Sequence, residues 1–175
     1  MHYAPWWVKT DMKRFPRVIR PDGEPIDVLS PLSRNTLEAD KTAFVALMRH
    51  LKQIDGEQHT ILLIQIENES GNIGSIRDNS AEADHQFAGR VPSDLLAAAH
   101  KPPGTWSQAF AADADEIFQF YYQAKYINEI AAAGKAEFRF LITSMHGFII
   151  RLQNSPNASW ICLALGIRAV ALYRS

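Results

Sequence analysis

The feature that most constrains this chain is the run Thr60-Ile-Leu-Leu-Ile-Gln-Ile66, followed at once by Glu67-Asn68-Glu69. Seven residues are too few for a helix of ordinary length, and Gly56 and Gly71 bracket the run. An almost continuous apolar run of this length suits a strand buried on both faces of a parallel sheet. The expected strand covers 60–67. Strict alternation would place Gln65, Glu67 and Glu69 on one face and Ile66 and Asn68 on the other.

Carboxylates are costly to bury unless paired or hydrogen-bonded. Two of them closing an Ile- and Leu-rich strand therefore have two readings. One is a solvated strand end. The other is a site in which partial desolvation and a nearby like charge raise a carboxyl pKa, as a general acid working near neutral pH requires. The spacing alone does not decide between them.

Helices are predicted on either side. Over 35–55, Leu37, Phe44, Leu47, Met48, Leu51 and Ile54 recur at helical spacing, with Asn35 and Glu38 resembling a capping box and Gly56 as the stop. Over 113–133, Ile117, Phe120, Tyr121, Ala124, Ile127 and Ile130 form the stripe, with Asp113 and Glu116 as the cap pattern and Gly134 as the stop. Residues 70–112 read as a long polar loop with one short helix at 93–100, and a loop of that length in a compact domain is usually functional or disordered. Residues 138–143 read as another strand. Residues 1–34 hold five prolines and a turn at Pro21-Asp22-Gly23.

Helix, strand, loop, helix, strand is the grammar of βα units, so the fold class expected is α/β. In such sheets ligands bind at the C-terminal edge of the strands. The 175 residues, 47% hydrophobic and 21% charged, suit one globular domain. A formal charge of −1 and the lack of a basic stripe give no reason to expect nucleic acid. No stretch approaches the roughly 20 apolar residues of a membrane span, and no apolar leader follows Met1. The lone Cys162 excludes an internal disulfide. The histidines show no metal-ligand spacing, and Asp78, Asp84 and His85 read more readily as polar loop than as a metal site. Trp6, Trp7 and Trp106 could stack on sugar rings, with packing the favoured alternative. All 19 acidic residues lie at or before Glu137, so the acid-free stretch 138–175 is expected to be a buried strand–helix pair or sequence foreign to the fold.

Gln65-Ile-Glu-Asn-Glu69 after an apolar strand resembles the acid/base motif of glycoside hydrolase family 35, the β-galactosidases. The resemblance extends to His2-Tyr-Ala-Pro-Trp-Trp-Val, Leu29-Ser-Pro-Leu-Ser, Leu37-Glu-Ala-Asp-Lys, Gly71-Asn-Ile-Gly-Ser-Ile-Arg-Asp, Phe87-Ala-Gly, Val91-Pro and Gly104-Thr-Trp. It covers about residues 2–137 and is closest to the bacterial-type branch with an extra C-terminal domain.

The resemblance implies a (β/α)₈ TIM barrel and retaining hydrolysis of terminal β-galactosides or plant oligosaccharides, without a cofactor. It implies Glu69 as general acid/base, Asn68 as partner of the sugar 2-OH, and Gln65 and Glu67 as support. It also implies an incomplete barrel. The family barrel needs roughly 250 residues, the resemblance fades past Phe138, and no second strand-end glutamate follows Glu69 to act as nucleophile. The expected division is 1–143 as partial barrel and 144–175 as a divergent tail. The chain alone is expected to be inactive, with a sugar-binding module lacking hydrolysis as the alternative. Family members are often exported, which points to a periplasmic or extracellular parent.

Overall fold

The computed structural model describes residues 4–67, 71 and 74–138, together with the backbone of three short strands at 141–143, 149–151 and 160–162. The architecture is mixed α/β. A short helix α1 (Trp6–Thr10) precedes an antiparallel hairpin of β1 (Arg17–Ile19) and β2 (Pro25–Leu29). The expected turn lies between them, with Gly23 at φ 87°, a left-handed conformation that glycine adopts without steric cost.

The long helix α2 (Arg34–Asp55) has its cap two residues earlier than the Asn35–Glu38 pattern suggests. Ser33 is the cap, its hydroxyl accepting from the Thr36 amide at 3.2 Å. Asn35 instead donates its side-chain amide to the Arg14 carbonyl, and Glu38 pairs with Arg34 and Lys41. Strand β3 is only Leu63–Gln65, shorter than the expected 60–67. The helix end takes the missing residues. The Asp55 carboxylate accepts from the amides of Thr60 and Ile61 at 2.9 and 2.8 Å and from the Thr60 hydroxyl, which binds these residues to α2. At the other end, Glu67 turns left-handed at φ 58°.

Residues 71–113 correct the expectation of a long loop with one helix. They hold α3 (Ala81–Ala88), α4 (Ser93–Ala98), α5 (Trp106–Phe110) and a 3₁₀ turn (Ala111–Asp113). Thr105 and Gln108 make a full capping box on α5. Leu95, Leu96, Trp106 and Phe110 from this segment pack with Ile117, Phe118 and Tyr121 of α6 (Ala114–Glu137) to form the core. Trp106 is fully buried, 5.0 Å edge-on to Phe118, so it is a packing residue and not a sugar platform. Trp6 and Trp7 are exposed.

The Asp113–Glu116 pattern makes no side-chain cap, and α6 runs through Gly134 to Glu137. Gly134 is where α2 and α6 meet, against Phe44 and Met48. Apart from the long-armed Arg34–Glu129 pair, contacts between the two helices advance together, from Asp40–Tyr126 through Phe44 and Met48 at Gly134 to Arg49–Glu137, so the helices run parallel. After α6 the chain enters β4 (Leu141–Thr143), which pairs in parallel with β3, Leu63 opposite Leu141 and Gln65 opposite Thr143. Strand, helix, parallel strand is the βα unit expected from the sequence. With β4 as the one described neighbour of β3, Leu62 and Leu63 stay 79% and 49% exposed, so burial on both faces is not reached. In the tail, β5 (Ile149–Arg151) and β6 (Trp160–Cys162) form an antiparallel pair. The expected helix partner falls outside the described residues.

Candidate active site at the end of the parallel strand

Gln65, the last residue of β3, is exposed, and its side-chain amide donates to the Glu67 carbonyl at 2.9 Å. Ile66 is buried and anchors the strand end in the core. Glu67 follows in the left-handed region, uncommon for a residue with a side chain and worth about 1–3 kcal/mol where it is maintained. This turn corrects the simple alternation expected from the sequence. The strand ladder ends at Gln65, so Glu67 does not continue the Gln65 face. Gln65 bridges the turn through this bond. Asn68 and Glu69, the residues expected to bind sugar and to move the proton, lie outside the described residues.

Between the two long helices stands a pair that sequence reasoning missed. Tyr126 of α6 donates its hydroxyl to the Asp40 carboxylate of α2, across the helix–helix interface. Burial lifts the Asp40 carboxyl above its usual range, and the Tyr126 hydrogen bond opposes that lift. Burial, then the Asp40 charge and hydrogen bond, then the Glu67 charge push the Tyr126 phenol far above its ordinary value. Glu67 is lifted by burial first and the Asp40 charge second. It keeps solvent contact, and water there limits how far the protein can shift it. The charges of Asp40 and Glu67 both act on the Tyr126 phenol, and Asp40 alone of the two is hydrogen-bonded to it. A sequence signal for Asp40 existed. It shares the three- and four-residue spacing of Leu37, Phe44 and Met48, which puts a carboxylate in an apolar stripe.

The polar residues after the strand are structural. Asp78 is fully buried, its carboxylate accepting from the Ile19 amide at 3.1 Å, the Ser80 amide at 2.9 Å and the Ser30 hydroxyl at 2.6 Å. Arg77 pairs with Asp84 and Asp115 and lies 4.4 Å over the Phe87 ring. Among the described residues no three potential ligands gather for a metal ion, and no helix is long and apolar enough to cross a membrane. No family model matches the chain, and no curated protein matches it.

Proposed function

We propose that residues 4–143 are part of a (β/α)₈ barrel of the retaining β-galactosidase kind, with Glu69 as its general acid/base. The observation that carries this reading is the parallel β3–β4 pair joined through α6, with Gln65-Ile-Glu-Asn-Glu69 leaving the C-terminal end of β3. Catalytic groups of βα barrels come from that end of the strands. The ordered motifs over residues 2–137 supply the reaction class.

In this reading Glu69 protonates the departing glycosidic oxygen while a second carboxylate, supplied from outside this chain, attacks the anomeric carbon. Glu69 then takes a proton from the water that releases the sugar. Asn68 donates to the 2-OH, where a hydrogen bond strengthens as the oxocarbenium-like transition state forms. Gln65 and the left-handed turn at Glu67 hold the backbone that precedes both in sequence. The substrate is a terminal β-galactoside, and the chemistry calls for no cofactor.

A chimera tests this. Residues 4–137 grafted in place of the equivalent segment of a complete retaining β-galactosidase should support hydrolysis of an aryl β-galactoside that Glu69→Gln abolishes. The 175-residue chain alone should stay at the blank rate, because retention needs two carboxylates about 5–5.5 Å apart. Turnover by the chain alone that survives Glu69→Gln would refute the reading. A second reading, a sugar-binding module without hydrolysis, draws on the exposure of Trp6 and Trp7. It predicts galactoside binding that Trp6→Ala weakens and no activity in the graft.

A further inference from the structure

Residues 5–17, from the start of α1 to the start of β1, form a small platform with a fixed interior and an uncovered outer side. Val8 and Phe15 are buried and anchor it to the fold. The buried guanidinium of Arg17 donates to the Phe15 carbonyl at 2.8 Å and the Lys9 carbonyl at 3.0 Å. Between these points the Phe15 amide donates to the Asp11 carbonyl at 2.9 Å and the Arg14 amide to the Asp11 carboxylate at 3.0 Å. The Asn35 side chain of α2 ties the Arg14 carbonyl to the long helix at 3.1 Å. A segment tied down at this many points differs from a frayed terminus, so its outward side chains are presented by the structure. Those side chains are Trp6, Trp7 and Met12, which stand 77%, 52% and 48% exposed, with Lys13 and Arg14 exposed beside them. Trp7 and Arg14 share one ring: the indole meets Phe15 edge-on at 5.3 Å, and the guanidinium lies 5.1 Å from the same centroid. Apolar and cationic groups therefore belong to one surface. Asp11 is the one acidic residue of the segment, against Lys9, Lys13, Arg14 and Arg17.

We propose that this platform docks the protein reversibly on an anionic lipid surface, Trp6, Trp7 and Met12 entering the boundary between headgroups and acyl chains while Lys13 and Arg14 pair with lipid phosphates. The charge of the platform selects the partner. Holding three large apolar side chains in water is unfavourable, and a neutral apolar partner would cover them without any use for the cations. A surface that is apolar beneath and negative on top satisfies both. Tryptophan suits that boundary, because its ring is amphipathic and concentrates at membrane–water interfaces. The long stems of Lys13 and Arg14 lie along apolar neighbours while their charged ends reach the headgroups. The geometry favours a soft partner over a single sugar ring. Consecutive helical residues point about 100° apart, so Trp6 and Trp7 do not make one flat face, yet both tips enter a fluid layer. With few apolar side chains and two exposed cations, the attachment is weak and salt-sensitive, and no helix need cross the bilayer. The proposal is independent of the glycosidase reading, since it involves neither the strand end nor the chemistry assigned there.

The test is flotation of the full 175-residue chain with phosphatidylcholine vesicles, with and without phosphatidylglycerol. Flotation separates vesicle-bound protein from self-associated protein, which stays at the bottom of the gradient. The chain should float with the phosphatidylglycerol vesicles, stay down with phosphatidylcholine alone, and be released by high salt. Lys13→Ala should weaken binding about fivefold, the share of one cation near a charged bilayer. Trp6→Ala should weaken it about tenfold, the loss when roughly 60 Å² of apolar area no longer leaves water. Trp6 is mostly exposed, so its removal should leave the circular dichroism spectrum and melting temperature unchanged. Lipids brominated along their chains should quench the indole fluorescence of the wild type, and Trp6→Phe should still float while losing part of that quenching. Failure to float with phosphatidylglycerol vesicles overturns the proposal. So does flotation that Trp6→Ala leaves unchanged, which would mark simple attraction to a polyanion. Release by a neutral galacto-oligosaccharide would make the platform a sugar site and overturns it as well. Failure of the glycosidase reading would appear elsewhere, as an inactive graft, with vesicle binding unaffected.

Discussion

Replacing Gly134 with alanine tests the packing that holds the two long helices together. In an exposed helix interior the change should stabilise by about 1 kcal/mol, because alanine is the better helix former. Here the new Cβ would enter the space of Phe44 Cε1, with Phe44 Cδ1 at 2.7 Å and Met48 Cγ at 3.1 Å. Carbon atoms pack comfortably at about 3.5–4.0 Å. Met48 is fully buried and cannot retreat, whereas half-buried Phe44 can swing partly outward. Overpacking of this kind costs about 1–3 kcal/mol. Because the clash is with a ring edge and a buried methylene together, the upper part of that range applies, and a net destabilisation of about 1–2 kcal/mol is expected once the propensity gain of about 1 is subtracted. Urea unfolding followed by circular dichroism reads this as a lower midpoint at unchanged slope. Phe44→Leu removes the ring edge, so the double variant should be less destabilised than the sum of the singles by about 1 kcal/mol. Stabilisation by Gly134→Ala, or strict additivity with Phe44→Leu, would refute the placement of α2 against α6.

Arg77→Met should destabilise by about 1–3 kcal/mol in the same assay, chiefly through loss of the Asp78 carbonyl bond at 2.8 Å and the Phe87 ring contact, since Asp84 and Asp115 are themselves more than half exposed; an unchanged midpoint would contradict the role given to Arg77. The bonds from Thr60 and Ile61 hold the Asp55 carboxyl below its ordinary value, so its contribution is present above the unfolded pKa near 4 and disappears as pH falls through the lower folded value. Asp55→Asn should therefore flatten the acid limb of a melting-temperature profile below about pH 4, and an unaltered limb would count against the bonds described. Exposed Leu62 and Leu63 beside a short strand should make the chain associate with rising concentration. Sedimentation should show this association weakened in Leu62→Lys, and a monomer at every concentration would contradict it.

Much of the frame was legible in the sequence because it rests on periodicity. The stripes of α2 and α6, the apolar run at β3 and the glycine turn at residue 23 each carry a signal within one element. The misreadings share a cause. Ser33 rather than Asn35 caps α2 because Asn35 finds a partner 21 residues away in Arg14, which no local pattern reveals. Gly134 looks like a stop and is a contact, because its reason is on another helix. The strand loses Thr60 and Ile61 to Asp55, a competition between helix end and ladder that propensity alone does not settle. Residues 71–113 look polar in sequence, yet a few large side chains, Trp106 above all, suffice to make them core. At the candidate site, Gln65 and Glu67 were visible as a motif. Asp40 was visible only as an oddity of spacing, and Tyr126 not at all, because their pairing joins positions 86 residues apart.

The most direct test of the glycosidase reading is the leaving-group dependence of Glu69→Ala in a barrel completed around residues 4–137. An aryl galactoside with a poor leaving group needs protonation at the glycosidic oxygen, and its turnover should fall about 10²–10⁴-fold. A substrate with an activated leaving group needs none, so formation of its glycosyl-enzyme should be nearly unaffected. Azide should then replace the water that Glu69 no longer activates, raising turnover of the activated substrate and yielding a β-galactosyl azide. Equal losses on both substrates with no azide rescue, or no loss on the poor leaving group, would contradict the assignment of Glu69 as the acid/base.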